Sequence, residues 1–160
     1  MFSLGLMRPK SKGLVGLKSA DPQKPPEFRC NFLKENLNWL AMINGLRKTR
    51  VISAQKAFNK IRTEEISPGR SVQSDKEILA WLRASAPTEY DLSSTCRISN
   101  DDNSVTNGDG LVHETLALKI VDAFIMPNSV AANLNASVLM IAEKLADVIK
   151  SQSKKKFISI

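Results

Sequence analysis

The segment over residues 117–147, ALKIVDAFIMPNSVAANLNASVLMIAEKLAD, limits the possible folds more than any other part of the chain. A short apolar run at Ile120-Val121 reads as a strand and leads into Asp122-Ala123. Met126-Pro127 breaks the run, and turn-forming residues fill 133–136. An amphipathic helix starting at Asn135 or Ala136 closes it, with Val138, Ile141, Ala142, Leu145 and Ile149 on one face. A strand, an open turn and a helix N-terminus in that order present bare backbone to a partner or ligand.

Upstream, the pattern is mixed. Leu14–Leu17 and Glu27–Phe32 alternate as short strands, separated by turn chemistry and an extended Pro25-Pro26. Trp39, Leu40, Ile43 and Leu46 share one side of a helix predicted over Asn36–Ala57. Ser67-Pro68-Gly69 marks a turn. Ser74 with Glu77 forms a capping box that opens a second helix, with Ile78, Trp81, Leu82 and Ser85 sharing a face and Pro87 ending it. Residues 99–110 are turn formers, expected as a mobile surface loop. The expected fold class is therefore α+β, a mixed or antiparallel sheet flanked by helices. One domain is expected over 1–152, with a basic, frayed tail over 153–160.

The net charge of +7 is spread along the chain, and only Lys154-Lys155-Lys156 forms a dense run. Aromatic residues do not alternate with basic ones, so a solvated surface is expected and not a nucleic-acid groove. No run of eighteen apolar residues occurs, so no membrane span is expected. The basic residues of the first segment follow its apolar part instead of preceding it, unlike a signal peptide, and a cytoplasmic location is expected. Cys30 and Cys96 match no metal or redox spacing and are expected as buried free thiols. No metal site is expected.

The segment 120–147 resembles the C-terminal signature of the glucose-methanol-choline (GMC) flavoprotein oxidoreductases, V-V-D-A-S-x-M-P…N-x-N-A-P-T…M-I-A-E-K-A-A-D. The opening Arg8-Pro9-Lys10-Ser11-Lys12-Gly13, then Ser19-Ala20-Asp21-Pro22, resembles the R-P-x-S-x-G…S-x-D-P of the same family's substrate domain. Thr88–Arg97 is similar to its T-x-Y-H-P-x-G-T-C-[RK]. The likeness covers about residues 7–150, nearest to choline dehydrogenase-like members.

The resemblance implies a substrate-binding domain whose final strand and helix pack on an FAD-binding domain. It also implies oxidation of a small alcohol by hydride transfer to FAD. The family's second catalytic position matches Asn133, whose amide can orient the alcohol oxygen. A turn asparagine tolerating an awkward backbone angle explains Asn133 equally well. Asp122, Ala123, Asn135 and Ala136 match cofactor-facing positions. A plain turn cap is the other reading of Asp122. The first catalytic position, a histidine in the family, is Asp91 here. A carboxylate is a weaker base than imidazole. Ionised beside reduced flavin, it would add a repulsion of about 4 kcal/mol at about 4 Å and an effective dielectric of about 20.

Other departures accumulate. Leu92 stands for the family proline, Ser94 for a glycine, Ile98-Ser99 for M-G, Glu114–Leu118 for G-V-E-G-L, and Ser137 for the proline of N-A-P. His113, the single histidine, falls off the catalytic positions and is expected at the surface. No G-x-G-x-x-G occurs to hold the ADP portion of FAD. Catalysis by the chain alone is therefore not expected. The expected partner is a separate FAD-binding domain, or a second copy meeting through the uncovered FAD-side face. A non-enzymatic, protein-binding paralogue is the alternative.

Overall fold

The structure is a computed structural model that describes residues 1–88 and 90–158, with the backbone alone for 154–158. The chain gathers into two compact units, Met1–Glu89 and Tyr90–Ile160.

In the first unit, strands β1 (Leu14–Gly16) and β2 (Glu27–Arg29) form an antiparallel hairpin with Val15 opposite Phe28. Pro25-Pro26 lacks ladder donors before β2, and Asn31 turns left-handed (φ 52°) after it, so β2 stops short of the expected Phe32. A side chain at Gly13 would run into the carbonyl of Arg29, so this crossing accepts only glycine.

Helix α1 (Asn36–Ser53) starts where predicted but ends four residues before Ala57. Arg62 Nη1 binds the carbonyl of Ser53 at 2.8 Å, which serves one of the carbonyls a helix end leaves open. A separate 3₁₀ turn, Lys56–Phe58, follows. The buried face of α1 is Asn38, Met42, Ile43 and Leu46. Leu40, expected inside, is exposed. Helix α2 (Asp75–Ser85) carries the predicted capping box, with Ser74 Oγ accepting from Glu77 N–H and Glu77 Oε2 accepting from Ser74 N–H. Ile43 (1% exposed), Ile78 (0%) and Leu82 (2%) form the centre of the core between α1 and α2, with Leu4, Trp39 and Trp81 around it. Arg50 binds Glu65 through two nitrogens and reaches the Gly69 carbonyl, closing the loop after α1.

The second unit has one long helix, α3 (Asn135–Ile158), and irregular chain folded against it. Residues 159–160 of the expected tail lie outside the described residues, and α3 continues through the rest of it. The only pairing in this unit among the described residues is a set of isolated bridges, Ile98 with Thr106, Thr106 with Val112, and Leu111 with Lys119. The expected strand at Ile120-Val121 does not form. Ile120 N–H bonds the Gly110 carbonyl, and the chain turns at once into a 3₁₀ turn over Ala123–Ile125. Among the described residues, the extended sheet of the sequence reading is thus reduced to a two-stranded antiparallel hairpin in the first unit, and the chain forms three α-helices. The segment 99–110 is more ordered than expected. Thr106 is fully buried, and its hydroxyl donates to the Cys96 carbonyl at 2.9 Å.

Candidate functional site

Asp122 has an extended backbone (φ −154°), and its Oδ1 accepts the Phe124 N–H at 2.7 Å. That local bond closes the 3₁₀ turn and ends any strand, as short acidic side chains do when they bond nearby backbone. The turn buries Ile125 and Met126, so Asp122 is exposed and Ala123 half-buried at its rim. The loop then reaches α3. Leu134 is buried and anchors the helix start, while Asn133 Oδ1 accepts the Asn135 N–H at 2.9 Å. This bond satisfies one of the donors that a helix N-terminus leaves free. Asn135 and Ala136 stand exposed in the first turn of α3, which contains no acidic residue.

Against this turn lies the segment after Tyr90. Ser94 N–H donates to the Ala123 carbonyl (3.2 Å), Cys96 N–H to Phe124 (2.9 Å) and Ile98 N–H to Ile125 (2.8 Å). Two stretches far apart in sequence are thereby fixed side by side. Tyr90 (φ 66°) and Ser94 (φ 70°) both hold left-handed backbone, which costs a residue with a Cβ about 1–2 kcal/mol. The bend between them presents Asp91 to Asn133, and Asn133 Nδ2 donates to Asp91 Oδ2 at 3.5 Å. Both side chains are exposed. The carboxamide of Asn133 therefore has two bonded ends, oxygen to the helix and nitrogen to the carboxylate.

Asp91 has no ion-pair partner among the described residues. Arg97, six residues further on, forks onto Asp101 at 2.7 and 2.9 Å. That bond, helped by Ser99 Oγ and Asn103 N–H, holds the Asp101 carboxyl well below the usual carboxylate range and raises the Arg97 guanidinium. Arg97 thus orders its own loop.

His113 is exposed as expected, with Nε2 at 2.9 Å from Ser104 Oγ. The cysteines differ from expectation: Cys30 is exposed and Cys96 half-buried, both free. Cys30 directly follows β2, at the end of the hairpin. Among the described residues no cluster of His, Cys, Asp or Glu could hold a metal ion, and no helix is long and apolar enough to cross a membrane.

Two features had no signal in the sequence. Ser93 Oγ and Ser129 Oγ lie 2.8 Å apart, tying the Asp91 segment to the loop before Asn133. An apolar cavity of about 260 Å³ opens beside α3, walled by Ile98, Ile125, Met126, Val130, Met140 and Ile141. Of the expected apolar face of α3, only Leu145 is fully buried, and Ile149 is exposed. Leu139 (59% exposed) and Met140 (58%) extend from the helix into solvent.

The signature segments and their joined turn match a known pattern, and the GMC oxidoreductase family model covers residues 9–142. The chain belongs to the GMC oxidoreductase family. It is similar to its relatives along nearly its whole length. An oxygen-dependent choline dehydrogenase of Paraburkholderia phymatum is 43% identical over 150 residues, covering 94% of this chain and 26% of that protein. One from Proteus mirabilis is 40% identical over 147 residues, covering 92% and 26%. Among solved structures, a formate oxidase of Aspergillus oryzae RIB40, studied for FAD modification, superposes with a TM-score of 0.86 at 30% identity, covering 94% of this chain and 26% of that one. Pyridoxine 4-oxidase of Mesorbium loti gives 0.82 at 26% identity, covering 88% and 28%. The chain therefore spans about a quarter of the length of the curated GMC relatives it matches, and corresponds to their C-terminal domain. The family is one of FAD-dependent oxidoreductases.

Proposed function

We propose that the chain is the substrate-binding part of an FAD-dependent oxidoreductase acting on CH–OH groups of donors, with choline or another small alcohol as substrate. An FAD-binding domain completes it. The observation that carries this reading is the meeting of Asp91 and Asn133, 42 residues apart, at the start of α3. They occupy the positions that match the family's catalytic pair.

The chain's residues suit the flavin-facing edge of such a site. Asn135 and Ala136 are small, exposed and free of neighbouring acid in the first turn, so a flat ring can approach the backbone there. The positive end of a long helix complements negative charge gathering on that ring. Asp122 and Ala123 form the opposite rim, their backbone held by the capped turn. Bound FAD supplies the hydride acceptor. Asn133 Nδ2 would donate to the alcohol oxygen and fix its approach. Asp91 is left to accept the hydroxyl proton, a role for which a carboxylate is poorly matched compared with imidazole. Turnover is therefore slow at best, and absent without the nucleotide-binding half.

The test is a chimera in which this chain replaces the matching C-terminal quarter of the Paraburkholderia phymatum choline dehydrogenase. The expected result is a yellow protein whose flavin is bleached slowly by choline without oxygen. A folded, FAD-loaded chimera that no simple alcohol reduces would overturn the reading.

A second reading has its own support. Asp91 at the histidine position, together with the uncovered Leu139 and Met140, suits a domain that binds a protein partner without catalysis. The partner is then an FAD-binding domain or a second copy. Gel filtration of the chain, alone and with a relative's FAD-binding half, separates these cases. A lone monomer that ignores the added half removes this reading.

A further inference from the structure

We propose that Ser93 and Ser129 form a clasp that positions Asp91 against Asn133. This rests on the reading of that pair as the substrate-facing groups. Ser93 lies inside the bend between the left-handed Tyr90 and Ser94, two residues after Asp91. Ser129 lies four residues before Asn133, directly after the turn that buries Met126. Their hydroxyls meet at 2.8 Å in half-buried surroundings, and Ser94 Oγ donates to Ser93 Oγ at 3.4 Å.

The geometry shows why such a clasp has work to do. The backbone bonds from Ser94, Cys96 and Ile98 to the Ala123–Ile125 turn begin at the end of the bend, three residues after Asp91. On the other side, Asn133 is tied forward to Asn135, and among the described residues no such backbone ladder holds its loop back to Pro127. The bond from Ser93 to Ser129 spans those two segments directly. The carboxylate–carboxamide separation of 3.5 Å sits at the outer limit of a hydrogen bond, so a small shift of either loop breaks it. Serine hydroxyls are short, and each can donate and accept at once, so a bond this close fixes the distance between the loops. Left-handed backbone at both ends of the bend persists only where surrounding contacts impose it, and the clasp is one such contact.

The test uses the full chain, labelled with nitrogen-15, and needs no cofactor. Ser93→Ala and Ser129→Ala should each speed solvent exchange of the Asn133 carboxamide protons about fivefold, the factor one net hydrogen bond is worth. Its resonances should move toward those in Asp91→Ala, while the Cys96 and Ile98 amides keep their protection. Ser129→Thr, which keeps the hydroxyl, should retain the wild-type values. Unchanged Asn133 exchange in a folded variant overturns the proposal, as does equal loss of protection at Cys96 and Ile98. Failure of both alanine variants to fold also overturns it, in favour of a structural role. A chimera that cannot reduce flavin counts against the proposed activity and leaves this coupling untouched.

Discussion

The carboxamide of Asn38, buried in α1, donates to Ser11 Oγ across 2.6 Å and accepts the Lys10 N–H at 2.7 Å. One side chain thus binds the N-terminal arm to the helix, and Ser11 Oγ also accepts the Glu35 N–H at the helix start. Replacing Asn38 with Ala leaves the Lys10 donor without this partner and opens a hole beside Met42. A loss of about 2 kcal/mol is expected, read as a lower urea midpoint with unchanged slope.

Glu114 holds a left-handed backbone (φ 59°) at a turn, a conformation that glycine adopts without steric cost. Its side chain is exposed. Glu114→Gly is expected to stabilise the protein by up to about 1 kcal/mol, since relief of strain exceeds the added freedom of the unfolded chain. The opposite change, Gly110→Ala, sets a Cβ 2.8 Å from the Ile120 carbonyl at φ 73° and should lower the melting temperature. Thermal melts of both variants check the pair.

The Asp101 carboxyl is held low by the Arg97 fork, and the Glu77 carboxyl by the Ser74 backbone N–H, then the Ser74 hydroxyl and Gln73 N–H. A carboxyl lowered by folding adds stability above its unfolded pKa, and this is lost as pH falls toward the folded value. The melting temperature should therefore decline as pH drops below about 4. Asp101→Asn should flatten that decline. Equal slopes for the variant and the parent would count against Asp101 as a source.

Asp91→His, made in the chimera with a choline dehydrogenase, supplies a base of suitable pKa and a cation beside reduced flavin. Choline-dependent flavin reduction should rise by about a hundredfold, within the usual range for a positioned general base. Anaerobic stopped-flow absorbance measures it. No increase in a well-folded variant would show that Asn133 and the bend around Asp91 no longer hold substrate.

Local chemistry was the most readable part of this chain. The capping box of α2 needs only Ser74 and Glu77 three apart, so its signal lies wholly in sequence. The start of α1 was equally plain, but its end depends on Arg62 reaching back to Ser53, which no short window contains. The helix period puts Leu40 on the apolar stripe, but tertiary contact decides which neighbour is covered, and Leu40 is exposed. Met42, at the next turn from Asn38, takes the inner place. Ile120-Val121 has strand composition, yet the Asp122 cap ends it. The sequence of 99–110 carries no sign of an anchor because the partners of Thr106 and Asp101 become visible only in three dimensions. The site residues came from family motifs. That Asp91 and Asn133 meet, and that Ser93 grips Ser129, required the folded chain.

The Arg50 fork on Glu65 and Gly69 closes the excursion from Ala54 to Pro68 at a single ionic point. Guanidinium ions copy the head group of Arg50 and compete for the same carboxylate. In guanidinium chloride this flap should come loose before the two helices part, whereas urea, being uncharged, leaves the bond standing until the core itself opens.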